Sequence, residues 1–261
     1  RAEDGALGLG LPSRAEAARF DRASCLLERG ENLAAQAVFE GFAGRAAASP
    51  LDAAIHAYWL ALALHRRGDG PGALEWAERG LKRMESMADP EVRLPLLLLR
   101  GEILLLTGQG RKVAHLLAEV DADLGPRAEA DDILAACALK LLAADAGAPG
   151  YRERAEAALG SASPEARSLW LVALARKTPA SRSGLLREAL RVAREAPGPH
   201  ATCLVLTELA GAGEFPLLAT DERGVQRLRN LRVVFASIPG HPLCAAIVHD
   251  PFEACENCRG L

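Results

Sequence analysis

The chain has 261 residues, a formal net charge of −3 and an isoelectric point near 6.1, a balance with no general attraction for nucleic acid or anionic membranes. Half of the residues are hydrophobic but only 4% are aromatic; Ala and Leu fill the space, which favours close-packed helices over a β-sandwich. The best candidate membrane segment, Leu94 to Leu106, is broken by Arg100 and Glu102 and falls short of the roughly 20 apolar residues a spanning helix needs.

Basic residues are nearly all Arg, with Lys only at 82, 112, 140 and 177, a bias we read as GC-rich, bacterial coding. The first residues do not read as a secretory signal, and a start at Arg1 instead of Met fits a processed protein or an excised piece. Cys25, Cys137 and Cys203 lie on apolar helix faces, where they read as buried free thiols, so a reducing, cytoplasmic setting is expected.

In chain order, residues 1–12 form a Gly-rich, flexible lead-in, and Ser13-Arg14-Ala15-Glu16 follows as a capping box. A helix then runs to Arg29, turns at Gly30-Glu31, and gives way to a second helix carrying Ala35, Val38, Phe39 and Phe42. Ser49-Pro50 opens the next unit, with Ser as N-cap and Pro where its missing amide costs nothing. From Ile55 to Met84, apolar residues recur at three- and four-residue steps on both sides of Gly68-Asp69-Gly70-Pro71-Gly72, the pattern of a helix, a turn and a helix. Asp89-Pro90-Glu91 and Ser163-Pro164-Glu165 repeat the opening device, and Pro197-Gly198-Pro199 marks another break. Turn glycines at 30, 68, 108 and 147 are 38, 40 and 39 residues apart. A period of that size with two helices per unit predicts an all-α solenoid, because a lone helix pair cannot bury its apolar faces.

The unit resembles a tetratricopeptide repeat of a degenerate bacterial type. In the second copy, Leu60-Ala61, Leu64, Gly68-Asp69, Ala73, Ala77 and Gly80 fall on that family's positions. Gly101, Leu104, Gly108-Gln109, Val113 and Leu117 do so in the third, and Ala23, Leu26, Gly30-Glu31, Ala35 and Phe39 in the first. Trp59 and Arg100 depart from the pattern, and the period exceeds the family's usual 34 or so. Three further copies, at about 128–160, 163–196 and 199–236, keep the helix pairs but few signature residues. The resemblance implies a right-handed superhelix of about six antiparallel hairpins, residues 13–238, with no sheet. Its first helices would line a concave groove through Phe20, Ser24, Leu27, Ile55, Tyr58, Leu62, His65, Arg66, Leu98, Glu102 and Leu105. The Lys and Asn residues with which chaperone-binding members grip a terminal carboxylate are absent, so an amphipathic helix or apolar peptide of another protein is the expected partner. Self-association stays open.

No phosphate-binding loop, His-Glu-x-x-His pair or nucleophile elbow occurs. His56, His65 and His115 are scattered over different helices and read as surface or groove residues. No enzyme and no cofactor is expected. The function implied is a non-catalytic protein-binding scaffold; the alternative is the sensor or oligomerisation region of a bacterial transcriptional regulator. After a helix near Arg223–Phe235, the tail 239–261 gathers His241, Cys244, His249, Cys255 and Cys258. Zinc ligation, with Cys244, His249, Cys255 and Cys258 as the foremost candidates, and a disulfide or redox role both stay open there. A plain hydrophobic cap through Leu243, Ala246, Ile247 and Phe252 is the favoured reading, and no metal is expected.

Overall fold

A computed structural model describes residues 14–43, 49–85, 87, 89–125, 128–143, 150–198 and 200–211. The lead-in, the Ser13 cap, Gly147, the second helix of the sixth copy and the whole 239–261 tail with its Cys and His residues lie outside them. Among the described residues the chain is all-helical, as five hairpins and one further helix. The hairpins are α1 (Arg14–Glu28) with α2 (Asn32–Ala43), α3 (Pro50–Arg66) with α4 (Gly70–Met84), and α5 (Pro90–Leu106) with α6 (Gly110–Asp123). Then come α7 (Ala130–Ala143) with α8 (Tyr151–Ala158), α9 (Pro164–Lys177) with α10 (Arg182–Ala193), and α11 (His200–Gly211).

Each boundary has a local cause. Ser49, Asp69 and Ser163 accept hydrogen bonds from the amides of Asp52, Gly72 and Ala166 at 3.1, 3.0 and 3.2 Å, which satisfies donors the first helical turn leaves unpaired. Asp89 does the same for the Glu91 amide at 3.1 Å. The first three hairpins turn through one repeated motif. Gly30, Gly68 and Gly108 have φ of 80°, 82° and 74°. In the second hairpin the Gly68 amide donates to the His65 carbonyl and the Asp69 amide to the Leu64 carbonyl, at 2.8 and 3.0 Å. Gly30-Glu31 and Gly108-Gln109 make the equivalent bonds. This is the left-handed helix stop that only glycine enters cheaply, and its repetition gives successive hairpins one shape. The left-handed glycine described in the fourth unit is Gly150, φ 89°.

Small residues let the helices approach. Ala23, Ala35, Ala54, Ala61, Ala73 and Ala77 are fully buried. A Cβ on Gly80 would stand 2.9 Å from Leu96, and one on Gly101 2.8 Å from Leu139. The core therefore runs as linked clusters along the stack, from Phe39, Leu60 and Ile103 to Leu186, Val205 and Leu209. At the first hairpin an aromatic knot tightens it: Phe20 lies 5.5 Å from both Phe39 and Phe42 and 5.8 Å from Trp59, edge-on to each.

The stack also meets itself across its concave side. The backbone at Gly198 is so close to Glu28 that an added Cβ would stand 2.4 Å from the Glu28 carbonyl oxygen. Arg66 of α3 reaches Glu165 of α9 at 3.1 Å.

Candidate functional site

Closure across the concave side leaves a cavity of about 290 Å³. Its walls come from α3, α5, α7 and α9, the first helices of the second to fifth hairpins, and from α11. Leu62, Leu98, Leu99, Leu105, Leu139 and Leu142 make it apolar, and Pro95 lines it too. Pro95 sits inside α5, where its ring leaves one helical carbonyl without its usual donor.

Of the residues expected in a groove, Tyr58, Leu62, His65, Arg66, Leu98, Glu102 and Leu105 line this cavity. Phe20 and Leu27 do not: Phe20 is taken up by the aromatic knot, and Leu27 is 1% exposed in the core. Ser24 turns its hydroxyl back to the Phe20 carbonyl at 3.2 Å, and Ile55 is half-buried away from the cavity. For Phe20, Ser24 and Leu27 the correction has one physical cause. At the start of the stack α1 packs against α2 and α3, and its inward stripe is spent on that contact. The last hairpins supply the missing wall, through Asp131, Asp132, Glu165, Arg176, His200 and Glu208.

Two polar groups cross the apolar walls. The first centres on Arg66, which is buried. It donates to the Leu27 carbonyl at 3.2 Å and to Glu165 at 3.1 Å, lies 3.7 Å from Glu28, and is held at its backbone by Asn32, whose side-chain amide donates to the Arg66 carbonyl at 3.1 Å. One guanidinium thus ties the first, second and fifth hairpins. Burial pushes the Glu165 carboxyl up, with the nearby Arg66 pulling against it.

The second group is His65, Glu102 and His200. The Nε2 atom of His65 lies 3.2 Å from Oε1 of Glu102, and the two imidazoles meet with centroids 6.3 Å apart at 66°. Burial alone would raise the Glu102 carboxyl, but the charge and hydrogen bond of His65, with His200 and Arg66 behind it, hold it at about 2. Burial lowers His200 to about 3, helped by Arg66, so its imidazole is neutral across the physiological range. Burial likewise pushes the Tyr58 phenol up to about 12. Sequence reading marked His65 and Glu102 as groove residues but left His200 unassigned, because no local motif links positions 65, 102 and 200. The one available signal was that all three fall in the opening helix of a sequence repeat.

No family model, no curated protein and no solved structure matches the chain.

Proposed function

We propose that this chain is a non-catalytic binding module, a right-handed tetratricopeptide-like superhelix whose concave side holds a segment of a partner protein. The observation that carries the reading is the cavity itself: an apolar chamber built by four hairpins and α11, with a few convergent polar groups at fixed positions. Concave sites of this composition are how helical repeats and small-ligand pockets alike achieve selective binding. Its dimensions narrow the partner. An α-helix is about 10–12 Å across with its side chains, whereas Arg66 and Glu165 bridge the opposing walls at 3.1 Å. An extended apolar segment that inserts one or two side chains beside Leu62 and Leu98 fits better than an amphipathic helix laid along the groove.

A second reading, the sensor region of a bacterial transcriptional regulator, is favoured by one specific observation. At about 290 Å³ the cavity is at the lower end of pockets that enclose small ligands. A photo-crosslinking residue placed at Leu62, with Leu33 on the exposed outer surface (56% exposed) as control, separates the two. In cells of the source organism the position-62 probe is expected to capture a polypeptide that the position-33 probe does not, and Tyr58→Ala with Leu98→Ala is expected to abolish the capture. Equal capture at both positions overturns the scaffold reading. A small molecule that co-purifies with the chain, without any crosslinked polypeptide, supports the sensor.

A further inference from the structure

We propose that His65, Glu102 and His200 form a mononuclear site for a zinc-class divalent cation, with its remaining coordination position open to the cavity. The proposal goes beyond the binding of a polypeptide and does not depend on which occupant the cavity takes.

Three helices that are distant in sequence, α3, α5 and α11, each deliver one donor. The candidate ligand atoms of the three residues all lie within 4.8 Å of one another, and the His65–Glu102 pair is already at 3.2 Å. Zinc bonds of about 2.0–2.2 Å at tetrahedral angles place neighbouring donors roughly 3.3–3.5 Å apart. The widest pair therefore has at most about 1.5 Å to close, a distance that side-chain torsions on three separate helices can absorb without moving the backbone. Two imidazoles and one carboxylate, with a fourth position left to water, is a donor set that suits Zn²⁺ and its neighbours better than Mg²⁺ or Ca²⁺, which want oxygen.

The electrostatic setting is compatible with a cation. Arg66 is the nearest fixed positive charge, but its guanidinium is engaged by Glu165, Glu28 and the Leu27 carbonyl. Asp131 and Asp132 add carboxylates to the cavity lining, and Arg176 is turned onto Glu208. The alternative use of these residues is a plain His65–Glu102 ion pair with His200 stacked beside it. That arrangement explains the contact of two of the three residues. It does not explain why a second imidazole from a distant helix is brought within 4.8 Å of the same carboxylate.

The test uses the full chain purified without a His-tag, stripped with a chelator and titrated with Zn²⁺ by calorimetry and with Co²⁺ by absorption. The expected result is about one equivalent bound, with cobalt ligand-field bands and no thiolate-to-cobalt charge transfer. Glu102→Gln, His65→Gln and His200→Gln should each weaken binding by roughly tenfold or more, while Cys255→Ser with Cys258→Ser leaves it unchanged. Glu102→Gln nearly preserves side-chain volume, and circular dichroism of each variant separates lost ligation from lost fold. Less than half an equivalent in the stripped protein overturns the site. So does unchanged affinity in the three variants, or a thiolate band that disappears with the two cysteines.

Discussion

Asp132 shows how the closed concave side changes the behaviour of a single residue. It stands in the first turn of α7, where a negative charge is ordinarily favourable at a helix N-terminus. Its neighbour Asp131 performs the local task, accepting a hydrogen bond from the Ser163 amide at 2.7 Å, and Asp132 lines the cavity beside it. There, burial first, and then the like charges of Glu129 and Asp131, push its carboxyl up to about 6. A carboxyl raised in the folded state destabilises that state as pH climbs from its unfolded value near 4 to its folded value near 6, because the unfolded chain gives up its proton first. The full shift corresponds to about 3 kcal/mol, but Asp132 keeps contact with solvent and the expected effect is about 1 kcal/mol. Asp132→Asn should therefore raise the melting temperature by about 2–4 °C near pH 7 and leave it unchanged near pH 3.5. Differential scanning calorimetry at the two pH values decides it. A gain of equal size at both would refute the titration argument and leave only a change of packing.

At the scale of the element, three glycines predict three different outcomes of one substitution. Gly101 lies in α5, where a Cβ would meet Leu139 at 2.8 Å and Leu116 at 3.1 Å; Gly101→Ala should cost about 1–3 kcal/mol through overpacking between α5, α6 and α7. Gly108 has open space around it but a φ of 74°, so Gly108→Ala should cost about 1 kcal/mol through backbone strain at the hairpin turn alone. Gly41 is exposed near the end of α2, with nothing within 4 Å of the added methyl. There Gly41→Ala should stabilise by about 0.5–1 kcal/mol, because alanine loses less backbone freedom on entering a helix. Chemical denaturation of the three variants checks the order. If Gly101→Ala proved as benign as Gly41→Ala, the close packing of α5 on α7 described here would be wrong. The hairpin turns themselves were legible beforehand: Gly-Glu, Gly-Asp and Gly-Gln at one period, with Ser-Pro or Asp-Pro openings, specify where each helix stops by backbone chemistry that needs no distant partner.

For the whole molecule, contacts that skip several units distinguish this stack from an open solenoid, in which each unit touches only its neighbours. Glu28 meets Gly198, Arg66 meets Glu165, and His65 meets His200. Arg66 takes part in this closure, and its side chain is 8% exposed against 26% for that of Glu165. Replacing Arg66 by Leu leaves a largely buried carboxylate without its partner, for an expected loss of about 2–3 kcal/mol. It should also open the concave side, which small-angle X-ray scattering would register as a larger radius of gyration. Arg66→Leu with Glu165→Leu should recover most of the stability, since an apolar pair can replace a buried ion pair. A single variant that melts and scatters like the parent would show that the closure rests on other contacts.

What the sequence by itself determined is the local and periodic part of this protein. The apolar spacing, the caps and the turn glycines are chemistry of neighbouring residues, so the all-helical hairpins could be read directly, whereas the placing of Tyr58, Leu62, His65, Leu98 and Glu102 in a groove came only from the family resemblance. The same signals were silent on how far each hairpin rotates against the next, because that angle is the sum of many small side-chain volumes, such as Gly80 against Leu96 and Gly101 against Leu139. Only the tertiary structure decided that those rotations bring the last described helices back to the first. With that closure His200 and Glu165 joined the cavity, and residues 65, 102 and 200 became neighbours. A contact between positions that far apart leaves no trace in any local pattern, since it is set by accumulated geometry and not by the residues' own spacing.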